Sequence, residues 1–159
     1  MDIANDKLSE GFNDCVVLSV TIKSPPDRLY KFLTDIENLS EFFPQVEFKL
    51  GANGPLKVGS IYYTRQKGTK NWVAYQVLIL EPNTRMSAEL TGKDRLFKAL
   101  RYDHKFIVDG GDTISHEKVD YKFRYGIVGR ILNLIVGKRL VKKQVLDAHL
   151  RLKEKAEKL

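Results

Sequence analysis

With 159 residues, 43% hydrophobic and 30% charged, the chain has the length and composition of one soluble globular domain. Its single cysteine, Cys15, excludes an internal disulfide framework and a thiolate zinc site; it precedes the apolar run Val16-Val17-Leu18, the setting of a buried structural thiol. The net charge of +7 is unevenly placed: residues 127–159 hold 9 of the 27 Lys and Arg and 3 of the 20 Asp and Glu, which leaves a net +1 for the rest.

Residues 1–14 alternate polar and apolar positions without the basic-then-apolar order of a signal peptide. No later run reaches the apolar length of a membrane span. The expected location is the cytoplasm. The expected organisation is one ligand-binding domain over 1–159, with 1–14 a loosely ordered extension.

Val16 to Lys23 alternates and is rich in β-branched residues, which predicts a strand. Ser24-Pro25-Pro26-Asp27 predicts a helix start, with Ser24 as cap and proline in the first turn. Leu29, Tyr30, Phe32 and Leu33 supply the apolar face of that short helix. A second short helix is expected over Asp35 to Phe43, ended by Pro44.

Six strands follow, near 45–51, 58–67, 71–81, 84–92, 98–109 and 112–124, with turn residues at each junction. The Gly110-Gly111 turn sets a register in which paired positions sum to 221. Arg101 then faces Asp120, and Asp103 faces Lys118, as opposite-charge pairs on a solvated face. The other face pairs Leu100 with Tyr121, Tyr102 with Val119, His104 with Glu117 and Phe106 with Ser115, and should look inward. Around Glu81-Pro82-Asn83-Thr84 the same exercise pairs Ile79 with Met86, Val77 with Ala88 and Tyr75 with Leu90. A Gly68-Thr69 turn places Tyr62 and Thr64 inward with Tyr75 and leaves Tyr63, Arg65 and Trp72 outside; a bulge reverses this.

The period then changes. Leu134, Gly137, Val141, Val145, Ala148, Leu152 and Ala156 recur at helical spacing, which predicts a helix from about Val128 to near the end, on the order of 45 Å long. The whole is an α+β helix-grip arrangement. A seven-stranded curved antiparallel sheet wraps a long C-terminal helix, with two short helices after the first strand.

The order of elements resembles the START-like (SRPBCC) superfamily, in particular the polyketide cyclase/dehydrase family. The residues that carry this are Val20-Thr21-Ile22-Lys23-Ser24-Pro25-Pro26-Asp27-Arg28-Leu29-Tyr30 with Leu33-Thr34-Asp35-Ile36-Glu37. Val58-Gly59, Glu81-Pro82, Gly111-Asp112-Thr113 and Gly126-Ile127-Val128-Gly129-Arg130-Ile131-Leu132 also fit. The resemblance spans about residues 15–158; Asp35 to Pro44 also looks like the coenzyme-Q-binding branch. It implies a hydrophobic ligand held between sheet and helix, without a cofactor and without a transferable catalytic motif.

Three functions stand beside each other. One is a carrier for a lipid, isoprenoid or polyketide-like ligand, lined by Tyr62, Tyr75, Val77, Met86, Tyr102, His104, Glu117 and Tyr121. Its basic helix start, Arg130, Lys138, Arg139, Lys142 and Lys143, offers transient contact with an anionic membrane; a solvated Lys-rich outer face explains the same residues. The second is a cyclase/aromatase-like enzyme in which His104 and Glu117 act as general acid and base, with Glu117 raising the pKa of His104. A cross-strand pair that satisfies itself is the plainer account. The third, nucleic-acid binding, ranks last, since 127–159 contain no Phe, Trp or Tyr. No metal site is expected: His104, His116 and His149 look scattered, and the first two face opposite sides of a hairpin.

Overall fold

A computed structural model describes residues 10–158. Residues 1–9 of the expected N-terminal extension lie outside the described residues. Ahead of the first strand, Phe12 is buried and the Asn13 amide donates to the Tyr121 carbonyl.

The elements run β1 (Asp14–Ile22), α1 (Pro26–Thr34), a 3-10 helix (Ile36–Glu41), β2 (Val46–Leu50), β3 (Ile61–Gln66), β4 (Val73–Glu81), β5 (Arg85–Leu90), β6 (Phe97–Asp109) and β7 (Asp112–Phe123). The C-terminal helix follows as α2 (Gly126–Leu132), a π turn (Asn133–Gly137) and α3 (Lys138–Glu157). The seven strands form one antiparallel sheet in the order β1-β7-β6-β5-β4-β3-β2. Hairpin connections build all of it except the β1–β7 pairing, which closes the first strand onto the last.

The β6–β7 hairpin has the expected register, including Tyr102 opposite Val119 and His104 opposite Glu117. Gly110 and Gly111 both take positive φ, as a two-residue turn of this hand requires. Tyr62 pairs with Tyr75 and is buried, the register expected of a Gly68-Thr69 turn, although the turn itself falls at Lys67-Gly68, where the Thr69 amide donates to the Gln66 carbonyl. The excluded side chains gather on the outer face, where Lys49 and Arg65 lie 4.2 and 4.4 Å from the Trp72 ring.

Four expectations are corrected. Met86 pairs with Leu80, not Ile79. The loop after β4 has three residues, with Asn83 in the left-handed region, so the register there is offset by one; a bulge at Leu78 restores it for Val77 and Tyr75. Ser24 does not cap α1. Pro25 holds that position, and buried Ser24 instead accepts the Thr113 hydroxyl at its carbonyl, 2.7 Å. Arg101 does face Asp120 and Asp103 does face Lys118, but the face is not solvated there: Lys118 and Asp120 are buried and meet each other at 3.2 Å, while Arg101 also reaches Glu89 at 2.6 Å and Arg85 reaches Asp103 at 2.8 Å.

The fourth correction concerns the long helix. It starts at Gly126, and Leu134 is 83% exposed rather than inward. The inward stripe is Gly129, Asn133, Gly137, Val141 and Val145, a constant step of four that the wide π turn maintains where a straight α-helix would drift. At Gly137 a Cβ would meet Asn133 Oδ1 at 2.9 Å and the Phe123 ring at 3.0 Å, so only glycine lets the helix approach this closely. Asn133 ties the stripe down. Its Oδ1 accepts from Tyr121 Oη at 2.9 Å, and its Nδ2 donates to Asp14 Oδ2 at 2.6 Å. Further along, Val145, Ala148, His149, Leu152 and Ala156 continue the buried face over the sheet, and Arg151 Nη1 donates to the Phe42 carbonyl at 2.9 Å.

Candidate functional site

The inner face of the sheet beneath α3 is built by alternation. Tyr62 on β3, Tyr75 and Val77 on β4, Met86 and Ala88 on β5, Tyr102 and His104 on β6, and Glu117, Val119 and Tyr121 on β7 project to the same side as the registers demand. The tyrosines form a run across the sheet. Tyr62 and Tyr75 stack at 5.5 Å, and Tyr75 and Tyr102 meet at 6.0 Å. Burial pushes the hydroxyls of Tyr62, Tyr75 and Tyr102 well above the usual phenol range, so they stay neutral donors.

Next to Tyr102 the sheet presents His104 and Glu117, and α3 lowers His149 onto them. The two imidazoles stack with centroids 5.0 Å apart and planes 9° from parallel. Glu117 Oε2 lies 3.4 Å from His149 Nδ1 and 3.7 Å from His104 Nδ1. His104 Nε2 makes a 2.6 Å hydrogen bond with Ser115 Oγ. His149 Nδ1 is 3.0 Å from the Val145 carbonyl; a carbonyl only accepts, so Nδ1 carries the proton and Nε2 is left with a lone pair. That Nε2 is buried without a hydrogen-bond partner.

The electrostatics of this cluster reverse the expected sense. Burial, then the neighbouring His149, hold His104 well below the ordinary imidazole range; Glu117 does not raise it. Burial lowers His149 as well, and it pushes Glu117 up to about 8. At neutral pH the carboxyl therefore keeps its proton and both imidazoles are uncharged. Neutralising the groups costs less than burying a charged trio.

His149 is the residue that sequence reading passed over. The expectation of scattered histidines is wrong for His104 and His149 and holds for His116, which points to β1 and hydrogen-bonds Ser19 Oγ at 2.7 Å. The signal was available: His149 follows Ala148 and lies between Val145 and Leu152 on the apolar stripe. His104, Glu117 and His149 offer one ligand atom each within 4.8 Å of one another, a donor set for a divalent cation. Ligands on one tetrahedral zinc sit about 3.3 Å apart, so a metal there would have to draw the side chains together.

A cleft of about 470 Å³ opens at the start of the C-terminal helix, lined by Phe12, Asp14, Tyr121, Phe123, Arg130, Asn133 and their neighbours; His104, Glu117 and His149 do not line it. Among the expected ligand residues, Tyr121 lines that cleft; the other seven share the inner face of the sheet, and of these Glu117 and His104 meet His149 of α3.

A curved seven-stranded sheet gripping a C-terminal helix defines the helix-grip fold of START-like proteins. Residues 14–157 match the family model described as polyketide cyclase / dehydrase and lipid transport, so the chain belongs to that family. Among solved structures it is similar to TTHA0849 from Thermus thermophilus, at TM-score 0.73 and 19% identity over 90% of this chain and 97% of that one. It is also similar to Ara h 8.0201, at 0.66 and 12% over 90% and 97%, and to CV1439 from Chromobacterium violaceum, at 0.66 and 13% over 90% and 96%. No curated protein matches the chain. Among the described residues no helix is long and apolar enough to cross a membrane.

Proposed function

We propose that the chain is a single ligand-binding domain that holds an apolar small molecule, of lipid, isoprenoid or polyketide-like chemistry, between the sheet and α3 and acts in the cytoplasm as a carrier or binding protein. One observation carries this. The inner face combines apolar walls (Val77, Met86, Val119) with a few convergent polar groups that are all neutral at pH 7. That is the make-up of a pocket for an uncharged or weakly polar ligand. The Tyr102 and Tyr62 hydroxyls and the Glu117 carboxyl would meet its polar end, and Met86 adapts to its shape. Family membership supports the same class of ligand.

The test is equilibrium binding of a fluorescent apolar probe, displaced by unlabelled lipids and aromatic polyketides. Tyr102→Leu and Tyr75→Leu should each weaken binding by about tenfold or more while circular dichroism stays native; tenfold corresponds to about 1.4 kcal/mol. No saturable probe binding by the folded protein would refute the reading.

A second reading, a cyclase-like enzyme, draws on the protonated Glu117. A buried carboxyl that keeps its proton up to about pH 8 is a general acid aimed at a ligand carbonyl, with His149 Nε2 as the nearby unprotonated base. In this reading Glu117→Gln abolishes turnover of a polyketide-type substrate by about 10²-fold or more and leaves binding intact.

A further inference from the structure

The sequence from Tyr121 to Leu146 contains Lys122, Arg124, Arg130, Lys138, Arg139, Lys142 and Lys143 and not one Asp or Glu. These seven cations equal the net charge of the whole chain. The same stretch is where the fold leaves apolar side chains in the open. Ile127 is 75% exposed and Leu134 83%, and Val128, Ile131, Leu132 and Ile135 are each more than half exposed. Val136 and Leu140 extend the patch. The π turn is the local cause. It keeps Gly129, Asn133 and Gly137 against the sheet, which turns every large aliphatic of the segment outward.

A water-facing helix in a monomer does not expose eight large aliphatics side by side without a partner. Within 125–143 Lys138 is paired with Asp14 at 3.0 Å, so the partner has to accept apolar side chains and balance Arg130, Arg139, Lys142 and Lys143. A second copy of this chain brings the same charges and repels. Nucleic acid offers phosphates but nothing for eight aliphatics, and the face carries a single exposed aromatic, Tyr125, for bases to stack on. A bilayer with anionic headgroups supplies both halves: acyl chains for the aliphatics and phosphates for the Lys and Arg.

We propose that residues 125–143 form a docking face for an anionic lipid bilayer, on which the chain lies with α2, the π turn and the start of α3 in the headgroup layer. The 470 Å³ cleft shares Gly126, Arg130 and Leu134 with this face, so docking brings its mouth to the lipid. The proposal stands without the carrier reading; together they give the ligand a route from bilayer to protein.

The full chain should float with phosphatidylcholine vesicles containing phosphatidylglycerol at roughly 30 mol% and bind pure phosphatidylcholine about tenfold or more weakly. Binding should fall as salt rises. Leu134→Trp should shift its emission to the blue on those vesicles, and Lys142→Glu with Lys143→Glu should weaken binding by about tenfold or more. Equal binding to neutral vesicles, no co-flotation, or a bound protein whose Leu134→Trp emission does not move would overturn the proposal. So would a concentration-dependent dimer in sedimentation velocity that Leu134→Glu splits. Binding of the apolar probe in lipid-free buffer is measured on the same variants. If it persists where vesicle binding fails, the docking face is wrong and the carrier reading survives.

Discussion

Glu117 on β7 and His149 on α3 meet 3.4 Å apart across the space between sheet and helix, with the proton on the carboxyl and none on His149 Nε2. They are the point at which the C-terminal helix is keyed to the sheet by chemistry rather than by shape. The contact is specific because every other inward residue of α3 is aliphatic: Val141, Val145, Ala148, Leu152 and Ala156.

The protonated state of Glu117 gives stability a pH dependence with a definite sign. Its folded pKa of about 8 lies above the ordinary value of 4.5, so between those values the folded chain holds more protons than the unfolded one. Stability therefore falls as pH rises through that window. Glu117→Gln removes the effect, and the variant should gain on the wild type by up to a few kcal/mol on going from pH 5 to pH 8 in urea melts. A constant difference between the two proteins across this range would contradict a raised Glu117.

The same pair should be energetically coupled. His149→Leu removes a buried nitrogen that has no partner, and the cost is expected to stay below about 1.5 kcal/mol. A double-mutant cycle with Glu117→Gln should return a coupling of at least about 0.5 kcal/mol, the range of residues in contact. Strict additivity would separate the two side chains.

The helix face can be tested position by position. Leu134→Ser should change stability by less than about 0.5 kcal/mol, as for an exposed site. Leu152→Ala, at a fully buried position on the same helix, should cost about 2–5 kcal/mol. Similar costs at both sites would place Leu134 inside, as sequence periodicity suggested.

Tyr121→Phe isolates the link between sheet and π turn. It deletes the donor to Asn133 Oδ1 and strands a buried acceptor, for a cost of about 1–3 kcal/mol. An unchanged midpoint in thermal or chemical melts would mean that the hydroxyl does not hold the turn.

What the sequence made legible, and what it hid, follows from the range of the forces involved. The β6–β7 hairpin could be read residue by residue because a two-glycine turn fixes its register locally, and His104 opposite Glu117 followed from it. Leu80 opposite Met86 was hidden because a bulge at Leu78 leaves no mark in an apolar run where Val77, Leu78, Ile79 and Leu80 all suit a strand. Leu134 was misassigned because apolar spacing marks leucine over asparagine as the buried residue. Asn133 goes inside because Tyr121, on the preceding strand, and Asp14, far away in sequence, satisfy both ends of its amide. The direction of the His104 pKa was missed for a similar reason. Pairing with Glu117 is visible in the register, but the burial that outweighs it depends on α3 and His149, which no local pattern contains.

The most direct test of an apolar ligand between sheet and helix is native mass spectrometry of the purified full chain, followed by organic extraction and identification of whatever is released. The expected result is a one-to-one complex with an apolar molecule, or an empty protein that takes up one equivalent of added fatty acid or isoprenoid and loses that capacity in Tyr102→Leu. A folded protein that carries nothing and takes up none of these ligands would contradict it.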